Sequence, residues 1–205
     1  MTASELLRAD LRRIIELVPE GARVLDLGCG DGALMAHLRD TRGCEVRGIE
    51  LDSDRIASAI GRGLSVVQAD LDEGLGAYEA AAFDVVVLSQ TLQVVRRPAY
   101  LLREMLRVGE RSILTFPNFG HWRVRGYLAL RGRMPVSRSI PYSWYDTPNI
   151  HHTTLKDFRD FVAANGGVIE LEIPLHVTGA QREAHVQRVL PNLFADTALA
   201  VVSNP

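Results

Sequence analysis

The segment that most constrains this chain is Val-Leu-Asp-Leu-Gly-Cys-Gly-Asp-Gly at residues 24–32, followed by Gly-Ile-Glu-Leu-Asp at residues 48–52. In the first, an apolar strand runs into a glycine-rich turn, and in the second a strand ends at an acidic residue, Glu50. Glycine lets the backbone turn tightly and approach a ligand, because it has no Cβ. A carboxylate after the next strand can accept hydrogen bonds from both ribose hydroxyls. The pair therefore predicts an α/β sheet that holds a nucleoside.

The charges around the turn bear on which nucleoside binds. Gly28, Gly30 and Ala33 fit the fingerprint of dinucleotide-binding proteins, whose third position accepts alanine. However, Asp26 and Asp31 flank these glycines, and a pyrophosphate at ~4 Å from one carboxylate would be repelled by roughly 4 kcal/mol in a partly desolvated loop. S-adenosylmethionine has a ribose, a sulfonium and an ammonium but no phosphate. The sequence favours S-adenosylmethionine or S-adenosylhomocysteine over the two alternatives, a dinucleotide and an empty loop.

Composition narrows the class of protein. The 205 residues are 47% hydrophobic, which suits one domain spanning residues 1–205 with a full core. The net charge of −2 gives no global reason to expect nucleic acid or an anionic membrane as a partner. Two cysteines make no disulfide framework, and His151 and His152 have no second ligand pair at zinc spacing, so no metal site is expected. The sequence has no secretory or long apolar segment, which predicts a cytoplasmic location.

The spacing of apolar residues predicts alternating strands and helices. An amphipathic helix is expected over residues 4–18, and a second one opens at Thr154 and closes near Asn165. Strands are expected at 23–27, 45–50, 64–68, 83–88, 111–116, 168–175 and 199–203, with helices at 32–41, 53–62 and 98–107. This alternation predicts a doubly wound, mostly parallel, seven-stranded sheet.

Residues 117–152 interrupt this alternation and are too many for an ordinary connection. This aromatic segment holds six of the 13 Phe, Tyr and Trp residues, and five arginines against one acid. Long connections after sheet strands commonly carry function in α/β proteins. Aromatic and arginine side chains suit nucleic acid or a protein interface, and the charge balance favours a protein or small molecule, with a packed lid as the alternative. The candidates for a substrate or partner surface are His121, Trp122, Tyr142, Trp144, Tyr145 and His151.

The glycine-rich string resembles the cofactor loop of class I S-adenosylmethionine-dependent methyltransferases, and the whole chain resembles the methionine biosynthesis protein MetW family. The second resemblance rests on residues 24–32, Leu-Ser-Gln-Thr-Leu-Gln at 88–93, Phe-Pro-Asn-Phe-Gly-His-Trp at 116–122, Arg-Gly-Arg-Met-Pro at 131–135, Tyr-Ser-Trp-Tyr-Asp-Thr-Pro-Asn-Ile-His at 142–151 and Val-Leu-Pro-Asn-Leu-Phe at 189–194. It implies a Rossmann-like class I methyltransferase fold whose last strand inserts antiparallel. It also implies a role in methionine biosynthesis, in association with a homoserine O-acyltransferase whose activity the protein supports.

The resemblance further implies roles for individual residues. Asp26 would bind the methionine ammonium, and Leu51 would pack on the adenine beside the ribose held by Glu50. Asp70 would reach the adenine amine, and Ser89 would line the cofactor pocket. The full set of expected cofactor residues is Asp26, Gly28, Cys29, Gly30, Gly32, Glu50, Leu51, Asp70, Leu71 and Ser89.

Two functions of different class remain open from the sequence. Residues 89–93 supply hydroxyls and amides but no acid or base. Methyl transfer depends mainly on positioning and desolvation, so this composition does not exclude catalysis. The chain is expected to be either an accessory subunit that binds S-adenosylmethionine, the downstream product of the pathway, or a methyltransferase acting on an unidentified small molecule. The absence of a base near residue 89 favours the accessory subunit.

Overall fold

The computed structural model describes residues 8–137, 139–178 and 183–205. Its strands are β1 (Arg23–Leu27), β2 (Glu45–Glu50), β3 (Ser65–Gln68), β4 (Phe83–Ser89), β5 (Gly109–Pro117), β6 (Val168–Thr178), β7 (Glu183–Val186) and β8 (Thr197–Ser203). Its helices are α1 (Ala9–Leu17), α2 (Ala33–Arg42), α3 (Ser53–Gly61), α4 (Pro98–Val108), α5 (Trp122–Arg131), α6 (Leu155–Ala164) and α7 (Pro191–Phe194). None of the helices in these ranges is long and apolar enough to cross a membrane.

The strands form one sheet in the order β3-β2-β1-β4-β5-β8-β6-β7. Strands β1 to β5 are parallel, whereas β8 lies antiparallel between β5 and β6. This is the Rossmann-like methyltransferase fold, so the expected mostly parallel sheet with an inserted antiparallel strand is confirmed. The strand order reverses between β1 and β4, and α/β sheets open a ligand crevice at the carboxyl ends of strands at such a point.

Two elements go beyond the expected pattern. Strand β7 pairs antiparallel with the end of β6, so the described residues form eight strands rather than seven. Helix α5 lies inside the aromatic segment, where no helix was predicted. Val124, Tyr127 and Leu128 share one face of that helix, but Tyr127 and Leu128 are exposed and Val124 is its buried residue, so the helix has only a short apolar stripe to reveal it.

Some boundaries also shift. The helix expected at 4–18 spans Ala9–Leu17, and residues 4–7 lie outside the described part of the chain. The last strand begins at Thr197, two residues earlier than expected. Because β8 runs antiparallel to its neighbour β5, its first residue pairs with Pro117 at the carboxyl end of β5. The start of β8 therefore lies at the same edge as the glycine-rich turn.

Apolar side chains cover both faces of the sheet. Val24 and Leu25 are adjacent in β1, so they point to opposite faces, and they belong to different buried clusters. Helices α1 and α2 pack with Val24, while α4 and α6 pack on the other face, where the rings of Phe116 and Phe158 stack with centroids 4.3 Å apart. With both faces buried, the carboxyl edge of the sheet is where polar groups gather.

Candidate functional site

A cleft of about 740 Å³ opens at the carboxyl edge of the sheet. Its walls come from the start of α1, the glycine-rich turn, the ends of β2 and β4, residues 139–149 of the aromatic segment and the start of β8. Its polar lining side chains include Asp10, Asp26, Asp31, Glu50, Ser89, Gln90, Thr91, Gln93, Asn149 and Asp196. The cleft thus collects chain segments that are far apart in sequence.

The three glycines of the turn differ in what a side chain at each position would contact. Gly28, Gly30 and Gly32 have φ values of +70°, +58° and +77°, in the left-handed region that disfavours a side chain. A Cβ on Gly28 would lie 2.9 Å from Thr91 Oγ1, and one on Gly32 would overlap Leu64 Cδ1. A Cβ on Gly30 would have no atom within 4 Å. Gly30 lines the cleft and leaves space for a ligand there, whereas Gly32 lies outside the lining and is required by packing.

The Glu50 carboxylate accepts three backbone hydrogen bonds at the end of the cleft next to the glycine-rich turn. Its Oε2 accepts a hydrogen bond from the backbone N–H of Gly30 at 2.8 Å. Its Oε1 accepts from the N–H groups of Leu51 at 2.8 Å and Asp52 at 3.1 Å. A carboxylate offers about four acceptor positions, so Glu50 retains capacity for one ligand hydroxyl while it fixes the turn.

Asp26, at the end of β1, is a carboxylate with few neighbours to stabilise its charge. It is buried, and the described part of the chain donates no hydrogen bond to it. Burial raises the pKa of Asp26 to about 7; the nearby Glu50 raises it further, while Arg8 opposes the shift. A buried anion without a donor is unfavourable unless a cation pairs with it. This position suits a positively charged group of a ligand.

Ser89 is hydrogen-bonded to Arg8 and Asp10, at the start of α1. Arg8 Nη2 donates to Ser89 Oγ at 2.7 Å and to Asp10 Oδ2 at 3.0 Å. Ser89 Oγ and Thr115 Oγ1 each donate to the same Asp10 oxygen at 3.2 Å. Arg8 and Asp10 were not among the residues expected at the cleft. Asp10 lies four residues before Ile14, on the apolar face of an amphipathic helix. An acid at such a position needs buried hydrogen-bond partners, and this was the signal that the sequence offered.

The other expected cofactor residues have mainly packing or capping contacts. Burial raises the pKa of the Cys29 thiol to about 12, assisted by Asp26 and Glu50, so the thiol stays protonated. Leu51 is 59% exposed, and Leu71 packs against the larger buried cluster. Asp70 accepts a hydrogen bond from Asp72 N at 2.9 Å, which caps the 3-10 turn Leu71–Glu73. Of the four expected residues Cys29, Leu51, Asp70 and Leu71, Cys29 lines the cleft.

The candidates in the aromatic segment separate into distinct environments. Tyr142 borders the cleft, whereas Trp122, Trp144 and Tyr145 are exposed by 47%, 73% and 75% and lie outside its lining. His151 has a buried Nε2 without a hydrogen-bond partner in the described residues. Arg138, one of the five arginines, lies outside the described part of the chain. The segment therefore provides both one wall of the cleft and a set of solvent-exposed aromatic rings.

His121, His176 and Asp196 form a cluster that sequence spacing did not reveal. Their ligand atoms lie within 4.8 Å of one another, with Asp196 Oδ2 2.6 Å from His176 Nδ1 and Oδ1 3.6 Å from His121 Nε2. Burial lowers the pKa of His121, so its ring is neutral near pH 7. His121 Nδ1 accepts a hydrogen bond from Arg123 N at 3.2 Å, so in the neutral ring the proton lies on Nε2, the nitrogen that faces Asp196. The cluster is best described as a carboxylate between two imidazoles.

Comparisons with known proteins identify relatives of the chain and of its fold. The family model described as "Methionine biosynthesis protein MetW" matches residues 8–202. The bifunctional methionine biosynthesis protein MetXA/MetW of Rhodopirellula baltica is 37% identical over 202 residues, covering 94% of this chain and 32% of the relative. The ubiquinone biosynthesis O-methyltransferase of Paraburkholderia phymatum is 30% identical over 132 residues, covering 62% of this chain and 56% of that protein. The chain thus spans about a third and about half of these relatives.

Among solved structures, the magnesium protoporphyrin IX methyltransferase from Synechocystis with bound S-adenosylhomocysteine superposes with a TM-score of 0.63. The superposition covers 96% of this chain and 82% of the methyltransferase chain, and the two sequences are 17% identical. At that identity the likeness concerns the fold, which is the one described above.

Proposed function

This chain belongs to the methionine biosynthesis protein MetW family, and from that membership we propose that it binds S-adenosylmethionine and serves as an accessory or regulatory subunit of a homoserine O-acyltransferase. The observation that carries the cofactor assignment is the buried Asp26 carboxylate, which lines the cleft and receives no hydrogen bond from the described chain. S-adenosylmethionine supplies a sulfonium and an ammonium, and either cation stabilises a buried anion.

The cleft residues fit the parts of this cofactor. Asp26 binds the ammonium, the backbone at Gly30 lies against the ligand, and Glu50 accepts from a ribose hydroxyl with its remaining capacity. A dinucleotide fits less well, because its pyrophosphate would meet the carboxylates of Asp26 and Asp31. The magnesium protoporphyrin IX methyltransferase holds S-adenosylhomocysteine on a sheet of the same fold, which supports the assignment.

The partner is argued from the relative of Rhodopirellula baltica. Its name joins MetXA and MetW in one bifunctional protein, and this chain corresponds to about a third of it. We take the MetXA portion as the homoserine acyltransferase that the family resemblance implies. Fusion of two functions in one chain supports their association when they occur as separate chains. The exposed Trp122, Trp144 and Tyr145 are of the residue types that anchor protein interfaces.

Co-purification tests the accessory role. The tagged chain is used to capture the homoserine O-acyltransferase of the same source, with and without S-adenosylmethionine. We expect capture in at least one condition. If S-adenosylmethionine changes the affinity of the chain for the acyltransferase by some factor, the acyltransferase should change the affinity for S-adenosylmethionine by the same factor, because linkage is reciprocal. If the acyltransferase is captured in neither condition, the accessory role is wrong.

Methyl transfer to a small molecule is the second candidate, and Asp196 favours it. The residues after β4 supply no base, but the Asp196 carboxylate lines the same cleft from the start of β8. Some relatives, such as the one matched over 62% of the chain, are O-methyltransferases, whose acceptors must lose a proton. Cell extract incubated with methyl-labelled S-adenosylmethionine distinguishes the candidates. Label on a defined product, lost with Asp26→Ala, supports an enzyme, whereas label retained on the cofactor supports the accessory subunit.

A further inference from the structure

We propose that the cleft has a second ligand site, between the end of β4 and residues 139–149, which takes an uncharged aromatic molecule with a hydroxyl group. The hydroxyl donates a hydrogen bond to Gln93 Oε1, and the ring packs against prolines of the aromatic segment. The proposal goes beyond cofactor binding, and it rests on the proposed function in leaving the β1 and β2 side of the cleft to S-adenosylmethionine. It applies whether the molecule is a methyl acceptor or a ligand that is sensed.

Gln93 has a buried acceptor that lacks a donor. The residue is 7% exposed, and it lines the cleft. Its Nε2 donates to Gln90 O at 2.7 Å, which fixes the orientation of the amide and identifies Oε1 as the other atom. That oxygen is buried and has no hydrogen-bond partner in the described residues. Buried acceptors are nearly always paired, so Oε1 fits a ligand that donates a hydrogen bond.

Asn149 brings a second amide to the same place. Gln93 O accepts hydrogen bonds from the N–H groups of Ile150 at 2.9 Å and His151 at 3.1 Å, and Asn149 directly precedes Ile150. Asn149 is 9% exposed and lines the cleft. Its backbone N–H donates to Thr147 Oγ1, whereas its side-chain amide forms no hydrogen bond within the described ranges of the chain. A hydroxyl accepts as well as donates, so one hydroxyl can pair with both amides.

Hydrogen bonds hold the loop after β4 on the side of the sheet away from β2. Gln90 N donates to Thr115 Oγ1 of β5 at 3.1 Å, and Gln90 Nε2 donates to Thr197 Oγ1, at the start of β8, at 3.0 Å. In the sheet, β4, β5 and β8 lie on one side of β1, and β2 lies on the other. The second site is therefore beside the expected position of the cofactor and does not coincide with it.

The walls of the second site favour an uncharged ligand. The described lining residues from 93–94 and 139–149 are glutamine, valine, serine, proline, tyrosine and asparagine, and none of them carries a charge. Asp196 also borders the cleft, but its carboxylate contacts two histidines. A charged ligand at this wall would lose its hydration without an opposite charge to offset the loss.

The apolar part of the same wall suits a flat ring. Pro141, Tyr142 and Pro148 line the cleft together with Val94. The proline and tyrosine rings offer flat apolar surfaces, and aromatic rings pack favourably against such surfaces. An aromatic alcohol therefore matches both the open acceptor and the apolar wall, whereas an aliphatic polyol matches only the acceptor.

Titrations followed by NMR test the proposal with two matched probes. The probes p-cresol and p-methylanisole have the same ring, but the methyl ether has no O–H to donate. Each is added to the full chain saturated with S-adenosylhomocysteine. We expect p-cresol to bind roughly fivefold or more tightly, because the ether leaves the buried acceptor unpaired. Equal binding of the two probes, or no binding of either, would mean that water completes the hydrogen bond of Gln93, and the proposal would be wrong.

Two further measurements test the charge and the position of the site. The cationic p-methylbenzylamine should bind more weakly than p-cresol, and tighter binding would contradict an uncharged site. Displacement of S-adenosylhomocysteine by p-cresol would place the probe in the cofactor site, which also contradicts the proposal. If S-adenosylhomocysteine fails to bind but the chain still prefers p-cresol to the ether, the proposed function fails and the second site stands.

Gln93→Leu locates the site. Leucine removes the acceptor, so the preference for p-cresol over p-methylanisole should disappear. Gln187→Leu is the control, because Gln187 Nε2 also donates to a backbone carbonyl, Val189 O at 2.7 Å, but Gln187 lies outside the cleft lining. A folded Gln93→Leu protein that keeps the preference, or a Gln187→Leu protein that loses it, would contradict the assignment. Because the comparison of probes uses the unmodified chain, the proposal stays testable if Gln93→Leu fails to fold.

Discussion

Gly30 and Glu50, 20 positions apart in the chain, are joined by a hydrogen bond of 2.8 Å from the backbone N–H to Oε2. The bond connects the glycine-rich turn after β1 with the acidic end of β2. The two sequence features that predict a nucleoside site are therefore one structural unit, in which the carboxylate positions the turn as well as offering an acceptor to a ribose.

Glu50→Gln tests this double role. The amide keeps the size of the side chain but loses the charge and replaces one acceptor oxygen with a donor, which opposes the N–H groups of Gly30 or Leu51. We expect S-adenosylhomocysteine affinity to fall by roughly 10- to 150-fold, corresponding to about 1.5–3 kcal/mol for a charged hydrogen bond. Glu45→Gln, at the exposed start of the same strand, is the control and should bind normally. Equal affinities of the two variants in calorimetry would contradict the role of Glu50.

The raised pKa of Asp26 predicts pH-dependent binding. The pKa is about 7 in the folded chain, with Glu50 and Arg8 as the nearby charges, whereas the ordinary value is 3.8. A cationic ligand favours the carboxylate, so binding below pH 7 should release up to one proton, and affinity should rise as the pH approaches 7. Calorimetry in buffers of different ionisation enthalpy measures this release. Asp26→Asn should abolish it, and Asp40→Asn, at an exposed site, should not.

The same shift has a consequence for stability. Between about pH 4 and 7 the native Asp26 binds a proton that the unfolded chain has lost, so this residue makes stability fall as pH rises through that window. Denaturant titrations across the window should show a smaller fall for Asp26→Asn than for the unchanged chain. A slope that is the same in both proteins would mean that Asp26 titrates normally in the folded state.

Gly30→Ala and Gly32→Ala should separate binding from stability. Both positions are left-handed, so each substitution costs ~1–2 kcal/mol of backbone strain. Only the Cβ at position 32 overlaps Leu64, which adds about 1–3 kcal/mol of overpacking. We expect Gly32→Ala to be the less stable variant in chemical denaturation and Gly30→Ala to lose more cofactor affinity. The reverse order in either measurement would contradict the assignment of Gly30 to the cleft.

Trp144 and Arg133 test where the acyltransferase docks. Trp144 is 73% exposed. Truncating a tryptophan or arginine that anchors an interface often costs about 2 kcal/mol or more of binding free energy. Trp144→Ala or Arg133→Ala should weaken the complex roughly 30-fold in titrations and leave the melting temperature of the chain unchanged. Ile60→Ala, an exposed apolar position on α3, serves as the control. A complex of normal affinity in both variants would place the interface elsewhere.

The sequence predicts those parts of the fold that have a strong local signal. Strand β4 is mostly apolar because it is buried on both faces, and Gly28 and Gly30 adopt the positive φ values that a glycine-rich turn suggests. Helix α5 has a short apolar stripe with one buried residue, Val124, and among the described residues β7 is a four-residue strand at the edge of the sheet, so neither has a strong local signal. These elements depend on contacts that no short window contains.

In the candidate site, too, residues with a local sequence signal could be predicted and residues placed by tertiary contacts could not. Asp26 and Glu50 lie at the carboxyl ends of predicted strands, and both line the cleft. Asp196 could have been inferred only from the antiparallel direction of β8, which brings the start of that strand to the carboxyl edge. Gly32, Leu51, Asp70 and Leu71 fit a motif by position, but their side chains or backbone lie outside the cleft lining. Motif spacing fixes the backbone path and leaves the direction of each side chain to tertiary packing.

The most direct test of the central claim is calorimetric titration of the unmodified chain with S-adenosylhomocysteine and, separately, with NAD. The buried Asp26, with Asp31 also in the cleft lining, predicts saturable binding of one S-adenosylhomocysteine per chain and no measurable binding of NAD, whose pyrophosphate would meet these two carboxylates. Binding of NAD, or no binding of S-adenosylhomocysteine, would contradict the account.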